Sequence, residues 1–241
     1  MFDFFLTTEG WLSLLTLILM EIILGIDNII FISIIADRLA KEKRQRARGL
    51  GLSLALLVRI GLLFSISWLV RLTNPLLSLG EFGLSARDII LIAGGVFLIY
   101  KTTKEIHNKI EGEEEHHSVK GTASFGDVIL QIVLIDVVFS VDSILTAVGL
   151  VDNVAIMIIA VTAAMVFMIF FSKWVSEFIN KHPTIKMLAL SFLLMIGFLL
   201  IADGLHYHIN KKYLYFAMAF SFVVEFLNMR ERKKKKPKEP Q

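Results

Sequence analysis

Seven stretches of this chain are so depleted in charge that a lipid bilayer is the solvent they fit, and that fixes the fold class before any motif is considered. They fall near residues 11–35, 49–70, 84–100, 126–148, 154–171, 185–201 and 213–229. At ~1.5 Å of rise per residue each is long enough, or nearly so, to cross the ~30 Å hydrocarbon core. The third, sixth and seventh are the shortest. Apolarity within them is near-continuous rather than alternating, so they are helices and not barrel strands. The expectation is an all-α polytopic membrane bundle. Composition agrees: 56% of the 241 residues are hydrophobic, against ~45–50% in an average soluble domain.

The 25 Lys and Arg residues are segregated. Arg38 to Arg48, Lys101 to Lys120 and Lys173 to Lys186 occupy alternate loops, and Arg230 to Lys238 follow the last apolar run. Arg71, Arg87, Lys211 and Lys212 fall on the other side, and Arg59 is the only basic residue deep in an apolar run. The positive-inside rule then places the N-terminus outside and the C-terminus inside. Positive charge confined to loops also argues against nucleic acid as a partner. The expected partners are the lipid bilayer and a divalent metal ion, and nothing in the sequence names a protein partner. The first residues lack the basic start of a cleavable signal, so the first run is expected to be retained. There is no cysteine, which excludes disulfides, thiolate metal sites and a cysteine nucleophile. No Gly-x-x-x-x-Gly-Lys-Ser/Thr loop occurs, so any uphill transport must draw on an ion gradient. No enzymatic activity and no resident cofactor are expected.

Two of the apolar runs carry the same acidic phrase. Glu21-Ile-Ile-Leu-Gly-Ile-Asp27-Asn28-Ile29 in the first matches Asp136-Val-Val-Phe-Ser-Val-Asp142-Ser143-Ile144 in the fourth. A carboxylate at the bilayer centre costs about 2.5–3.5 kcal/mol on insertion scales, so four at matched spacing call for a compensating charge. The copies lie three runs apart and therefore cross the membrane in opposite directions. Gly95-Val-Phe-Leu-Ile against Gly197-Phe-Leu-Leu-Ile, and Ser67-Trp68-Leu69 against Lys173-Trp174-Val175, are weaker echoes at the same interval. The simplest organisation is a single membrane domain. Repeat one covers about 11–100, a cytoplasmic linker 101–125, repeat two 126–204, a seventh helix 213–229 and a basic tail 230–241. Inverted repeats of this kind hold their site near the midplane, between the halves.

Residues six apart on a helix point about 120° away from each other, whereas residues seven apart share a face. Glu21 therefore aligns with Asn28, and Asp136 with Ser143, but not with Asp27 or Asp142. Two arrangements satisfy this. Either one acid of each pair faces the central site and the other a neighbouring helix, or the helices break near Gly25 and Ser140 and expose carbonyl ligands. Glu21, Asp27, Asn28, Asp136, Asp142 and Ser143 form the candidate metal site. Its donors are all hard oxygens, which suits Mg²⁺, Mn²⁺ or Ca²⁺ over Zn²⁺ or Cu⁺; Met20 is a neighbouring soft donor.

These phrases resemble the paired signature of the TerC family of integral membrane proteins. Gly94 to Lys101 with Glu105 and His107, Ala202 to His208, and Tyr215 to Ser221 with Glu225 and Asn228 resemble that family as well. The likeness runs from Gly10 to Asn228. It implies a lysine-exporter-like fold of inverted three-helix repeats, and an association with Mn²⁺ efflux and, by name, tellurite resistance. The family's acidic residues then fall on Glu21, Asp27, Asp136 and Asp142. The expected function is ion-gradient-driven divalent cation export, Mn²⁺ foremost, with proton antiport as the coupling hypothesis. The alternative is a membrane assembly or tellurite-resistance partner that transports nothing. An amino-acid exporter fits less well, because a single Arg is too little positive charge for a carboxylate substrate.

Three further features have two readings each, and a fourth has one. Arg59 is either a permanent partner of buried acids or a counter-charge that a bound ion displaces. The run Glu111 to His117 is either a solvated linker or a metal-gathering loop. Asp203 and His206, three apart on one face of a helical end, are either boundary polar residues or an exit site or proton relay. Lys233 to Lys236 read as a topology anchor at anionic lipid.

Overall fold

The computed structural model describes residues 7–65, 70, 72–79, 82–111, 124–148, 151, 153–207 and 209–235. The Ser67-Trp68-Leu69 echo, Arg71, His116, His117, Lys120, His208 and the end of the basic tail lie outside the described residues, as does the side chain of Asp27.

Seven helices follow in order: α1 (Thr8–Ala36), α2 (Lys41–Phe64), α3 (Ala86–Ile110), α4 (Phe125–Val148), α5 (Val154–Lys181), α6 (Pro183–Gly204) and α7 (Lys211–Lys235). Five of them, α1, α2, α4, α5 and α6, are long and apolar enough to cross a membrane. Helices α3 and α7, at 25 residues each, reach well beyond the apolar runs on which they centre. Lys101, Lys104, Glu105 and Lys109 extend α3 by ten residues into what was expected to be linker, and Arg230 to Lys235 extend α7. Charged residues with good helix propensity continue a helix after its apolar stretch ends. Local chemistry marks several starts. Thr7 Oγ1 accepts from Gly10 N–H at the head of α1, Asn153 caps α5, and Pro183 opens α6. Ser85 and Asp88 form a reciprocal capping box at the head of α3.

One element departs from the all-helical expectation. Strands β1 (Pro75–Leu79) and β2 (Phe82–Ser85) pair antiparallel between α2 and α3.

Burial in the bundle is reversed relative to a soluble protein. Large apolar side chains such as Trp11, Phe64, Phe170, Trp174, Phe198 and Phe216 face outward, while Glu21, Arg48, Arg59, Asp136 and Asp203 are buried. Water would penalise so broad an apolar surface, but hydrocarbon does not.

Helix α3 packs along α6, α1 along α5, α2 along α4 and α5, and α7 rests on α6. Exchanging α1 with α4, α2 with α5 and α3 with α6 maps the α3–α6, α1–α5, α2–α4 and α2–α5 packings onto one another, with α7 outside the exchange. At the α3–α6 crossing Gly95 and Gly197 meet face to face; a Cβ on Gly95 would sit 2.6 Å from the carbonyl oxygen of Gly197. Only glycine at both positions permits that approach.

Both acid-bearing helices run unbroken. The broken-helix arrangement is thereby excluded. Gly25 instead makes room for the Met168 side chain of α5, and Ser140 supplies a hydroxyl rather than a hinge.

Candidate functional site

The two mid-helix acids from the two acidic phrases meet at one arginine. Arg59 of α2 is 2% exposed and spends its donors on three acceptors. Nη1 reaches Glu21 Oε2 of α1 at 2.6 Å, Nη2 reaches Asp136 Oδ1 of α4 at 3.2 Å, and Nε donates to Ser140 Oγ at 2.8 Å. Ser140 Oγ in turn donates to Asp136 Oδ2 at 3.1 Å. Each acid comes from a different helix, so the planar fork of guanidinium donors ties α1, α2 and α4 together. The unit carries one net negative charge.

The second pair of acids does not converge on the first. Asp142 lies six residues from the end of α4 and is held by Arg87 of α3, with Nη2 at 2.7 Å from Oδ1, and by Lys211 of α7. Lys211 Nζ also lies 3.5 Å from Asp203 Oδ2 at the end of α6. His206 does not join Asp203. It stands beyond the helix end at a φ of 65° and places Nε2 3.0 Å from Asp88 Oδ2, the oxygen already committed to the Ser85 capping box. The expectation that Asp203 and His206 act as a pair on one helix face is corrected: α6 ends between them and sends each to a different partner.

A cavity of about 440 Å³ connects the two charge clusters, running from Asn210, Lys211 and Lys212 at the α6–α7 connection down to Glu21, Asn28 and Arg59. Asp142, Ser143 and Met20 line it too, with apolar walls from Leu24, Phe139, Ile196, Leu199, Leu200 and Leu214. Asn28 is 2% exposed, and its Oδ1 meets no hydrogen-bond partner among the described residues. A buried acceptor left unpaired costs about 1–3 kcal/mol, so this oxygen faces the cavity in want of a donor or a cation.

Of the six predicted site residues, Glu21, Asn28, Asp142 and Ser143 line this one cavity. Asp136 stands behind it on the far side of Arg59, and Asp27 contributes its backbone to α1. No group of three His, Asp or Glu side chains poised to hold a metal occurs among the described residues; each buried acid is matched with a base instead. Arg87 and Lys211 were not anticipated as site residues. Both sit at helix starts with no local pattern to mark them, and only the fold carries them 55 and 69 residues along the chain to Asp142.

The formal charges can be followed. Arg59 against Glu21 and Asp136 leaves minus one. Arg87 and Lys211 against Asp88, Asp142 and Asp203 leave another minus one with His206 neutral. The exposed Lys212 at the cavity rim adds one positive charge, so the described groups around the cavity sum to minus one. At the opposite end of the bundle Arg38 pairs with Glu105, Arg44 with Asp37, and Arg48 with Ser176. Burial pushes the Asp37 carboxyl, at the C-cap of α1, above the usual carboxylate range, against the opposing pull of Asn180 and Arg44. His107 and Glu111 form an exposed pair at the end of α3.

The model of the integral membrane protein TerC family matches residues 6–239. The chain belongs to the TerC family. It is 50% identical over 226 residues to the UPF0053 inner membrane protein YgdQ of Escherichia coli K12, covering 94% of this chain and 95% of that one. A UPF0053 protein of Haemophilus influenzae is 47% identical over 234 residues, covering 97% and 99%. The UPF0053 inner membrane protein YoaE of Escherichia coli K12 is 48% identical over 232 residues, but this chain spans only 45% of its length. No solved structure matches the chain. Relatives named as inner membrane proteins, together with five helices able to span a bilayer, identify a multi-pass inner-membrane protein of the TerC family.

Proposed function

We propose that this chain carries a divalent cation across the inner membrane, with Mn²⁺ moved outward as the favoured case, and that an ion gradient drives it. The observation that carries the reading is Asn28 Oδ1, which has no partner among the described residues, in a cavity it shares with Glu21 and Asp142 and around which five carboxylates meet four bases. A site with surplus negative charge and an idle hard-oxygen donor suits a hard cation. In this reading the ion enters among Glu21, Asn28, Asp142 and Ser143, and Arg59 gives up part of its hold on Glu21 and Asp136 as it arrives. The choice of Mn²⁺ rests on the family, and the choice of proton antiport rests on the linkage between metal binding and carboxylate protonation. Seven spans with the N-terminus outside, and two inverted repeats, complete the reading. The helix packings that exchange onto one another and the Gly95–Gly197 crossing support the repeats, and the segregation of Lys and Arg supports the orientation.

One observation favours a second reading. The cavity is far larger than a bare ion needs, its walls are largely apolar, and Arg59, Arg87, Lys211 and Lys212 all border it. The shortage of positive charge that counted against a zwitterionic organic solute disappears in the folded chain. Such pockets, apolar with a few convergent polar groups, commonly bind small organic molecules.

Purified protein in sealed vesicles tests both. Mn²⁺ flux that Asp142→Asn abolishes at unchanged abundance supports the first reading. Flux of an amino acid without metal flux supports the second. Vesicles that move neither solute, from protein that co-purifies with another membrane component, leave the assembly role.

A further inference from the structure

The cavity is the open half of a longer path. Four of the six helices that line it, α1, α3, α4 and α6, also line a second and much smaller void of about 10 Å³ near the basic-loop end, room for about one water. On α1 the cavity face at Glu21, Leu24 and Asn28 continues at helical spacing into Phe31 and Ile35 of the void, with Arg38 in the turn just past the helix end. On α6 the cavity residues Ile196 and Leu200 continue into Leu193 and Leu190.

Two polar atoms in the small void are out of place. Thr102 Oγ1 of α3 and Gln131 Oε1 of α4 are buried with no hydrogen-bond partner among the described residues, although both border it. Thr102 is 2% exposed. Unsatisfied oxygens in a closed interior are costly, and they make sense if another conformation wets them. Just beyond, Arg38 Nε donates to Glu105 Oε2 at 3.2 Å and Nη2 donates to the same oxygen. That ion pair bridges α1 and α3 across the mouth of the void.

We propose that the Arg38–Glu105 pair, with the apolar plug of Phe31, Ile35, Leu190 and Leu193 above it, is the seal on the basic-loop side of a single solute path, and that it opens as the 440 Å³ cavity closes. Thr102 and Gln131 are the water-contacting wall of that path in the opposite state. The inference rests on the transport reading but not on which solute is carried, and its test uses no solute.

The chain has no cysteine, so single cysteines report without background. Thr102→Cys and Leu199→Cys, made separately, are exposed in oriented sealed vesicles to a membrane-impermeant maleimide from each face. In the otherwise native chain Leu199→Cys reacts from the cavity side and Thr102→Cys is protected. Adding Glu105→Gln, or Arg38→Gln where the first variant is poorly made, speeds Thr102→Cys labelling from the basic-loop side about tenfold and slows Leu199→Cys, because opening one side depletes the other. Exchanging the two charges, Arg38→Glu with Glu105→Arg, restores protection. Rapid Thr102→Cys labelling in the native background overturns the seal. So does a seal variant that changes neither rate, or that raises both together, which is loosening rather than alternation. Absence of Mn²⁺ flux alongside reciprocal labelling rejects the divalent-ion reading and leaves the path intact.

Discussion

Replacing Arg59 by methionine separates a buried charge that stabilises the bundle from one that merely occupies it. The guanidinium is enclosed and bonded to Glu21, Asp136 and Ser140. Its removal strands two carboxylates, themselves 4% and 2% exposed, with no counter-charge within the triad. Breaking a buried pair by deleting one partner costs about 3–5 kcal/mol, because the uncompensated charge stays behind. For a chain of this size each kcal/mol shifts the midpoint by ~2–4 °C, so thermal unfolding in detergent should fall by about 6–20 °C. Neutralising the whole triad, as Arg59→Met with Glu21→Gln and Asp136→Asn, should recover most of that loss, since an uncharged set of similar volume carries no stranded charge. Mn²⁺ should raise the midpoint of Arg59→Met more than that of the native chain at equal concentration, because the freed carboxylates then have no resident competitor. A single variant as stable as wild type would refute the electrostatic account. A neutral triad as unstable as Arg59→Met would show that lost packing, and not stranded charge, sets the cost.

Two other substitutions probe geometry and ligation. Gly95→Ala drives a methyl into the backbone of α6, 2.6 Å from Gly197 O and 3.1 Å from Ile201 N, and should cost about 1–3 kcal/mol by overpacking. Gly49→Ala meets nothing within 4 Å and should be neutral or stabilise by up to ~1 kcal/mol through helix propensity; matched thermal midpoints for the two would remove the close crossing from the fold. Asn28→Ala removes an acceptor that has no partner among the described residues, so the ion-free protein should lose little stability while divalent-cation affinity in a calorimetric titration falls about tenfold, the equivalent of ~1.4 kcal/mol.

Much of the fold was legible because membrane burial writes itself into local composition. Each of the seven apolar runs corresponds to a helix, and the two whose ends moved furthest, α3 and α5, are those where polar and charged residues carry the helix ten residues past the lipid-soluble part. The doubled acidic phrase led to Glu21 and Asp136 sharing one centre, and Arg59 stood out as the one base deep in an apolar run. The outer cluster was hidden for a physical reason. Arg87 and Lys211 look like ordinary loop charges in the sequence, and nothing near either encodes the distant Asp142 that holds them. Seven-residue spacing aligned Glu21 with Asn28 correctly, but spacing within one helix says nothing of how a second helix turns its face. That is why Asp136 was expected to line the site and instead stands behind Arg59.

The counter-charge is also where the two halves stop being equivalent. Aligning Ser67-Trp68-Leu69 with Lys173-Trp174-Val175 sets Arg59 opposite Met165, a fully buried thioether. On the two-repeat reading, acids are therefore duplicated while their base is not, and exchanging the halves cannot regenerate the same charge arrangement. Two access states built by such an exchange differ in energy, because Arg59 serves both mid-helix acids from one side only. Arg59 borders the cavity, whereas Met165 borders neither the cavity nor the smaller void. Placing the base in the other half, as Arg59→Met with Met165→Arg, should therefore exchange which face of the bundle is open, and the Leu199→Cys and Thr102→Cys labelling pattern would invert with it.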